Sequence, residues 1–354
     1  MKNKLMRTTA LVGSMIVLSA GISVAQTTVS GNLDLSYRAV ENSKTPINSF
    51  RAFGKESQIN IANKGKLTNG MDYAAGFSLE FDGADISGPG TATTVDGRGI
   101  HGEGVYINFT SGNTTLHIGA DSIQNPDSHG LINPVGVGYI TTSGLGATGI
   151  VSGIYPTDTN SPYSAYGFGL IQNVPNIGKV SAYYAPTDTN SASGADIGNT
   201  GTVAAYESTD ESAYELGFVG DLGVKGLAVQ GFYNKKDQPD GTNGDQKGTV
   251  LAASYNFGQV TLAAERRKFE STADTVGKAA SISFAATKEL SLGLVYGKAD
   301  ISSGTVDEKI KIAAIGYNLG PVVINAEYTD TENLAGVADH GDSQEMIVKV
   351  STKF

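Results

Sequence analysis

One pattern constrains this chain more than any other. Apolar and polar residues alternate with a period of two, stretch after stretch. In 343–354, Met346, Val348, Val350 and Phe354 share one face and Glu345, Lys349, Ser351 and Lys353 the other, with Ile347 as an exception. In 321–328, Val322, Ile324, Ala326 and Tyr328 lie opposite Asn325 and Glu327, with Val323 as an exception. Upstream, Val29, Leu33, Leu35 and Tyr37 oppose Ser30, Asn32, Asp34, Ser36 and Arg38. Likewise Met71, Tyr73, Ala75, Phe77, Leu79 and Phe81 oppose Asp72, Ser78, Glu80 and Asp82. A period of two is the side-chain geometry of a strand with one apolar face.

Sixteen such stretches can be drawn, near 28–39, 57–63, 71–83, 104–110, 114–121, 163–171, 178–185, 210–219, 227–235, 248–257, 259–269, 278–287, 290–300, 308–318, 321–331 and 343–354. Their connections alternate in length. Tight ones include Ser111-Gly112-Asn113, Lys288-Glu289 and Leu319-Gly320, and long ones cover 41–56, 84–103, 122–162 and 186–209. A soluble sandwich also alternates, but it has no reason to keep its short links at one end through so many strands. A membrane barrel does, with trim periplasmic turns, long outer loops and an even strand number. The 354 residues, less a leader of 25, allot about twenty to each strand with its connection. A tilted spanning strand needs ~9–11 of these. The expected fold is all-β: a transmembrane antiparallel up-and-down barrel of about sixteen strands.

Composition follows from that fold. Charged residues make up 17% of the chain, below the ~25% of soluble domains. Lipid offers the backbone no hydrogen-bond partner, so a spanning sheet closes on itself, with lipid outside and water within. Aromatic belts are expected at both interfaces. With no Trp, they fall to Tyr and Phe, and Tyr37, Phe81, Tyr233, Tyr255, Phe257, Tyr296, Tyr317, Tyr328 and Phe354 sit near strand ends.

Several functions are disfavoured. The absence of Cys removes disulfide scaffolds, thiolate metal sites and cysteine nucleophiles. A net charge of −10 argues against a nucleic-acid partner. His101, His117, His129 and His340 form no paired metal-ligand spacing, and no G-x-S-x-G elbow stands on a strand-to-helix turn. No enzymatic activity and no cofactor are expected. Loop 237–245 gathers Asp237, Asp240, Asn243 and Asp245, which suits Ca²⁺ in kind, but these are also turn residues and the spacing is not that of an EF-hand.

The run Ala10–Ile22 is the one apolar enough to suggest a helical span. It follows Lys2, Lys4 and Arg7 and ends at Ser23-Val24-Ala25. This is the signal-peptide pattern, with the cut expected between Ala25 and Gln26, and the core is short for a retained anchor. Residues 1–25 are therefore read as a leader and 26–354 as the barrel. Loss of the three leader cations moves the net charge from −10 to −13.

Three stretches carry a family resemblance. They are Ser57-Gln58-Ile59-Asn60-Ile61 through Asn69-Gly70-Met71-Asp72-Tyr73 to Glu80, then Val105–Phe109 with Ser111-Gly112-Asn113 and Thr115–Gly119, and a final strand closing on Phe354. Together they resemble the Gram-negative general porins, trimeric sixteen-stranded channels of the outer membrane. The resemblance implies a homotrimer in outer-membrane lipid and passive diffusion of ions and small hydrophilic solutes. It also implies that Phe354 is an assembly signal for the barrel-assembly machinery. The third outer loop, here 122–162, would fold into the lumen as a constriction. Its glycines, among them Gly130, Gly136 and Gly144, permit an unusual path; a flexible surface flap is the alternative. The family pattern sets an acidic cluster on that loop against basic residues on the wall. From Asp121 to Pro162 the only acids are Asp121, Asp127 and Asp158, so that charge split does not carry over.

A basic residue facing lipid at mid-depth costs about 2–4 kcal/mol, so the lumen is the default place for wall charges. Alternation nominates Asp34, Arg38, Glu80, His117, Glu215, Glu265, Arg267, Glu327 and Lys349 as pore-lining, with Asp121 and Asp127 from the loop. The plainer reading makes each a solvated wall residue. Rings of charge govern ion entry, and the acidic balance suggests a lean toward cations. Arg266 must face away from Arg267 and is expected to snorkel toward headgroups or to meet a neighbouring subunit. Two rival readings remain. A substrate-selective porin would show a ladder of aromatic or basic residues along its bore, and a structural or adhesive surface barrel would have a closed lumen.

Overall fold

The computed structural model describes residues 25–42, 49–82, 101–119, 130–132, 166–186, 212–237, 245–270, 274–333 and 343–354. Sixteen strands form among them. They are β1 (Gln26–Asn42), β2 (Phe50–Lys66), β3 (Asp72–Asp82), β4 (His101–Ser111), β5 (Thr114–Gly119), β6 (Gly167–Val174), β7 (Gly178–Ala185) and β8 (Ala213–Gly220). The second half holds β9 (Leu227–Lys236), β10 (Gln246–Asn256), β11 (Val260–Glu270), β12 (Thr275–Ala285), β13 (Leu290–Ile301), β14 (Glu308–Asn318), β15 (Val322–Glu332) and β16 (Ser343–Lys353). Each pairs antiparallel with its sequence neighbours, and β1 pairs with β16 to close the barrel. Closure leaves no edge strand, so the ladder satisfies its own donors and acceptors all the way round.

Short turns gather at one end. In 257–259 and 319–321 a glycine takes a positive φ, 96° at Gly258 and 84° at Gly320, where a Cβ would be strained. The preceding asparagine caps each turn: Gly258 N donates to Asn256 Oδ1 at 3.0 Å and Gly320 N to Asn318 Oδ1 at 2.8 Å. At the β1–β16 seam, Gly31 and Phe354 exchange backbone hydrogen bonds of 2.8 and 3.0 Å. The Phe354 ring lies directly over Gly31, in space that a larger residue there would occupy.

One expected connection is shorter than the sequence suggests. Residues 50–56, read as part of a long loop, belong to β2, paired as Val40↔Phe50 and Tyr37↔Phe53. Arg51 and Lys55 lie in the same alternating row as Phe53, which hides the apolar signal. The ladder of β1 recruits the segment, and Tyr37 and Phe53 meet with ring centres 5.2 Å apart.

Polarity is inverted relative to a soluble protein. Glu215 is 1% exposed and faces inward, whereas Leu294 is 58% exposed and faces outward. The same holds around the ring, with Leu35, Leu116, Phe168, Leu251 and Ile315 outside and Ser36, His117, Asn234 and Asn325 inside. An outer face so apolar makes sense only against lipid. Aromatic residues mark both ends of it. Tyr37, Tyr233, Tyr296 and Tyr328 lie toward the long-connection end, and Tyr255, Phe257, Tyr317 and Phe354 toward the short-turn end. The Phe81 side chain lies outside the described residues.

This polarity makes a direct prediction. Leu294→Arg, at mid-depth on the outer face, should lower folding stability in lipid vesicles by about 2–4 kcal/mol, read from urea unfolding. An unchanged midpoint would mean that this face does not meet lipid.

Candidate functional site

The lumen is where the chemistry gathers. Residues 130–132, in the connection between β5 and β6, reach the inner wall across the barrel. Gly130 N donates to Gln230 Oε1 on β9 at 2.8 Å, and Leu131 N donates to Glu265 Oε2 on β11 at 3.2 Å. Gly130 has a φ of 93° and lies so close to Glu265 and Arg267 that an added Cβ would collide with both. Ile132 packs into an apolar cluster with Ala263, Ala279, Val295, Ala299, Ile310 and Ile312, from β11 to β14.

The reach is adequate. Strands ~4.8 Å apart, tilted by about 40°, give a sixteen-strand barrel roughly 30 Å across. Between Gly119 and Gly130 the chain can span about 36–40 Å. Residues 130–132 of the third loop are thus held on the inner wall between β9 and β14, several strands from β5. The wall is suited to receive them: beside the polar Gln230, Glu265 and Arg267, the inward residues around Ile132 are apolar, Ala263, Ala279 and Ala299 being small.

The nominated wall residues take distinct positions. Arg38 forms a buried ion pair with Glu345, and its guanidinium lies 5.4 Å from the centre of the Phe50 ring. Asp34 and Lys349 form a second pair across the β1–β16 seam at 2.6 Å. Glu265 and Arg267, two apart on β11, bond at 3.0 Å and brace the latch. His117 is buried on β5, with Nδ1 2.7 Å from Asn108 Oδ1 and its ring between Tyr106 and Tyr183. Glu215 accepts from Asn234 Nδ2 at 3.4 Å. Glu80 and Glu327 share the inward rows of β3 and β15, and Glu327 is buried. The geometry thus joins Glu265 to Arg267 and Asp34 to Lys349, and places His117 on β5 and Glu215 on β8.

Other nominated positions fall elsewhere. Asp121, Asp127 and most of 122–162 lie outside the described residues, as do 1–24 and 238–244. At the margins of that last segment, Lys235 binds Asp237 at 2.6 Å and Asp245 at 2.7 Å. Lys235 and the Ser212 hydroxyl hold the Asp237 carboxyl below its usual range.

A family profile described as Gram-negative porin matches residues 8–336. The chain belongs to the Gram-negative porin family. This porin is an outer-membrane channel for passive diffusion. No curated protein matches its sequence. Its fold is shared with the anion-selective porin of Comamonas acidovorans, at 14% identity and a TM-score of 0.64, covering 94% of this chain and 100% of that one. It also resembles a triple mutant of the Rhodopseudomonas blastica porin, at 14% identity and a TM-score of 0.58, covering 93% and 100%. The trimer form of in-vitro folded OmpT from Vibrio cholerae matches at 10% identity and a TM-score of 0.60, covering 93% and 99%.

Several residues of this lumen escape sequence reasoning. Gln230, Leu131 and Ile132 carry no motif, and the contact between them depends on how the loop folds. Glu345 and Glu308 were within reach. Glu345 shares the parity of Lys349 on β16, and both acids are buried among the inward rows.

Two outcomes check the site. Ile132→Asp should release the latch from its apolar wall and raise single-channel conductance, with noisier open states; unchanged conductance would mean that 130–132 does not limit the bore. Glu345→Ala leaves Arg38 buried beside a missing partner and should cost about 3–5 kcal/mol in denaturant unfolding.

Proposed function

We propose that this porin works as a homotrimeric diffusion pore for small hydrophilic solutes, with a lean toward cations. One observation carries the selectivity. The buried charges among the described residues are Glu215, Glu265, Glu308, Glu327 and Glu345 against Arg38 and Arg267. A wall with that acidic excess, in a narrowed low-dielectric bore, concentrates cations and repels anions. Asp34 and Lys349 would line the lower bore. Arg267 and Glu265 would set the field where the third loop meets the wall.

The trimer reading draws on the Vibrio cholerae neighbour, whose folded form is described as a trimer. Export through a cleaved leader, 1–25, and recognition of Phe354 by the barrel-assembly machinery complete the proposal. The Comamonas neighbour is described as anion-selective, and the acidic wall argues for the opposite sign here.

The test is reversal potential and single-channel conductance of the refolded protein across a KCl gradient. Conductance steps grouped in threes and a cation-side reversal are expected. The double variant E215Q/E327Q should move the reversal toward zero. An anion-side reversal in the unmutated protein would overturn the selectivity. No conductance from a folded barrel would favour a structural or adhesive surface role.

A further inference from the structure

The outward face carries a feature that diffusion does not use. Arg266 on β11 is in register with Lys278 on β12, Lys278 with Lys298 on β13, and Lys298 with Lys309 on β14. Cross-strand partners point to the same side of a sheet, and Arg266 faces away from the inward Glu265 and Arg267. Four cations thus stand side by side on four adjacent strands, within about 15 Å. Like charges directly opposite one another destabilise a sheet, so the ladder alone gives no reason for the row. Asp307 meets Lys298 at 2.5 Å and Glu332 meets Lys309 at 3.4 Å. Arg266 and Lys278 have no acidic partner among the described residues. The row occurs in a chain of net charge −10, so it is not a by-product of general basicity.

A groove of about 690 Å³ runs down the outer face immediately below the row. Ala280 and Ala313 leave its floor low, Ile282 and Leu294 make it apolar, and Tyr296 and Tyr328 rise at its sides. Lys311 stands at its upper end. Cations at the long-connection end and an apolar trough beneath them match an amphiphile lying along the barrel wall, head up and chain down.

We propose that Arg266, Lys278, Lys298 and Lys309 bind the phosphate of an outer-leaflet lipid whose acyl chain lies in the groove below. The position explains how lipid-facing cations are tolerated, since their cost falls to about 0–1 kcal/mol near the interface. A second copy of the chain fits the row less well. Among the outward acids, Glu41, Glu270, Asp330 and Glu332 are already paired with Arg51, Lys268 and Lys311 of the same barrel, and Asp300 on β13 stands two residues from Lys298, within the row's own field. A phosphate-bearing lipid brings the missing negative charge together with the apolar tail.

The test is native mass spectrometry of the refolded barrel in detergent with three probes: lipid A carrying both phosphates, the same lipid A dephosphorylated, and inorganic phosphate. Planar-bilayer conductance of each variant reports separately that the channel is folded and open. Retention of phosphorylated lipid A is expected, with binding weakened about tenfold or more by R266Q/K278Q. Loss of the lipid phosphates should weaken it similarly, and so should A280F, which fills the groove without touching charge. Unaltered lipid A binding in both variants would overturn the proposal. So would equal binding of the dephosphorylated lipid, or displacement of lipid A by inorganic phosphate at matching concentration, which would mark a bare anion site. A change in oligomer size on R266Q/K278Q, with lipid binding intact, would assign the row to a contact between copies instead.

Discussion

Everything in this barrel follows from the backbone's need for hydrogen bonds in a medium that offers none. A strand in lipid must pair on both sides, and the β1–β16 ladder meets that need by joining the chain's two ends. Once the sheet is closed, each strand has an outside and an inside, and period-two alternation assigns every residue to one or the other. The apolar outer wall, the aromatic belts and the buried carboxylates are consequences of that single assignment. Asparagine-capped glycine turns keep one end compact, which leaves the opposite end free to carry long connections.

The interior then has a problem of its own. A bore roughly 30 Å wide would be little barrier to small solutes, and the connection between β5 and β6 is long enough to cross it. What holds residues 130–132 of that connection in place is a mixed contact. Gln230 and Glu265 supply acceptors for two loop amides, and Ile132 settles among Ala263, Val295, Ile310 and Ile312. Arg267 neutralises Glu265 at the same spot. Polar fixing and apolar packing act on three consecutive residues, so the latch is specific in register as well as position.

Much of this was legible in the sequence. Alternation and connection lengths located all sixteen strands, and parity put Asp34, Lys349, Glu265 and Arg267 on the inner face. The weakness lay where a strand alternates in the opposite sense. In 308–312, Lys309 and Lys311 alternate with Ile310 and Ile312, and a rule of polar inward would send both lysines into the lumen. The structure sends the isoleucines inward, because the loop gives them an apolar partner there. Single-strand parity cannot report that choice, which is made by a tertiary contact with residues far away in sequence. The segment 50–56 failed for a related reason. Arg51 and Lys55 interrupt its apolar face, and only pairing with β1 defines it as strand.

The latch has one property that bears on how such a channel can change over time. Two of its three holds are made by main-chain amides, at Gly130 and Leu131, so they do not depend on which side chain those residues carry beyond the space that Gly130 must leave. The demand falls on the wall, where an acceptor must persist on β9 and on β11. Apart from Gly130 and the apolar side chain of Ile132, loop sequence is therefore free to diverge and retune what passes, while the anchoring positions stay fixed on the scaffold. A gate hung by its backbone can be refitted without being unhung.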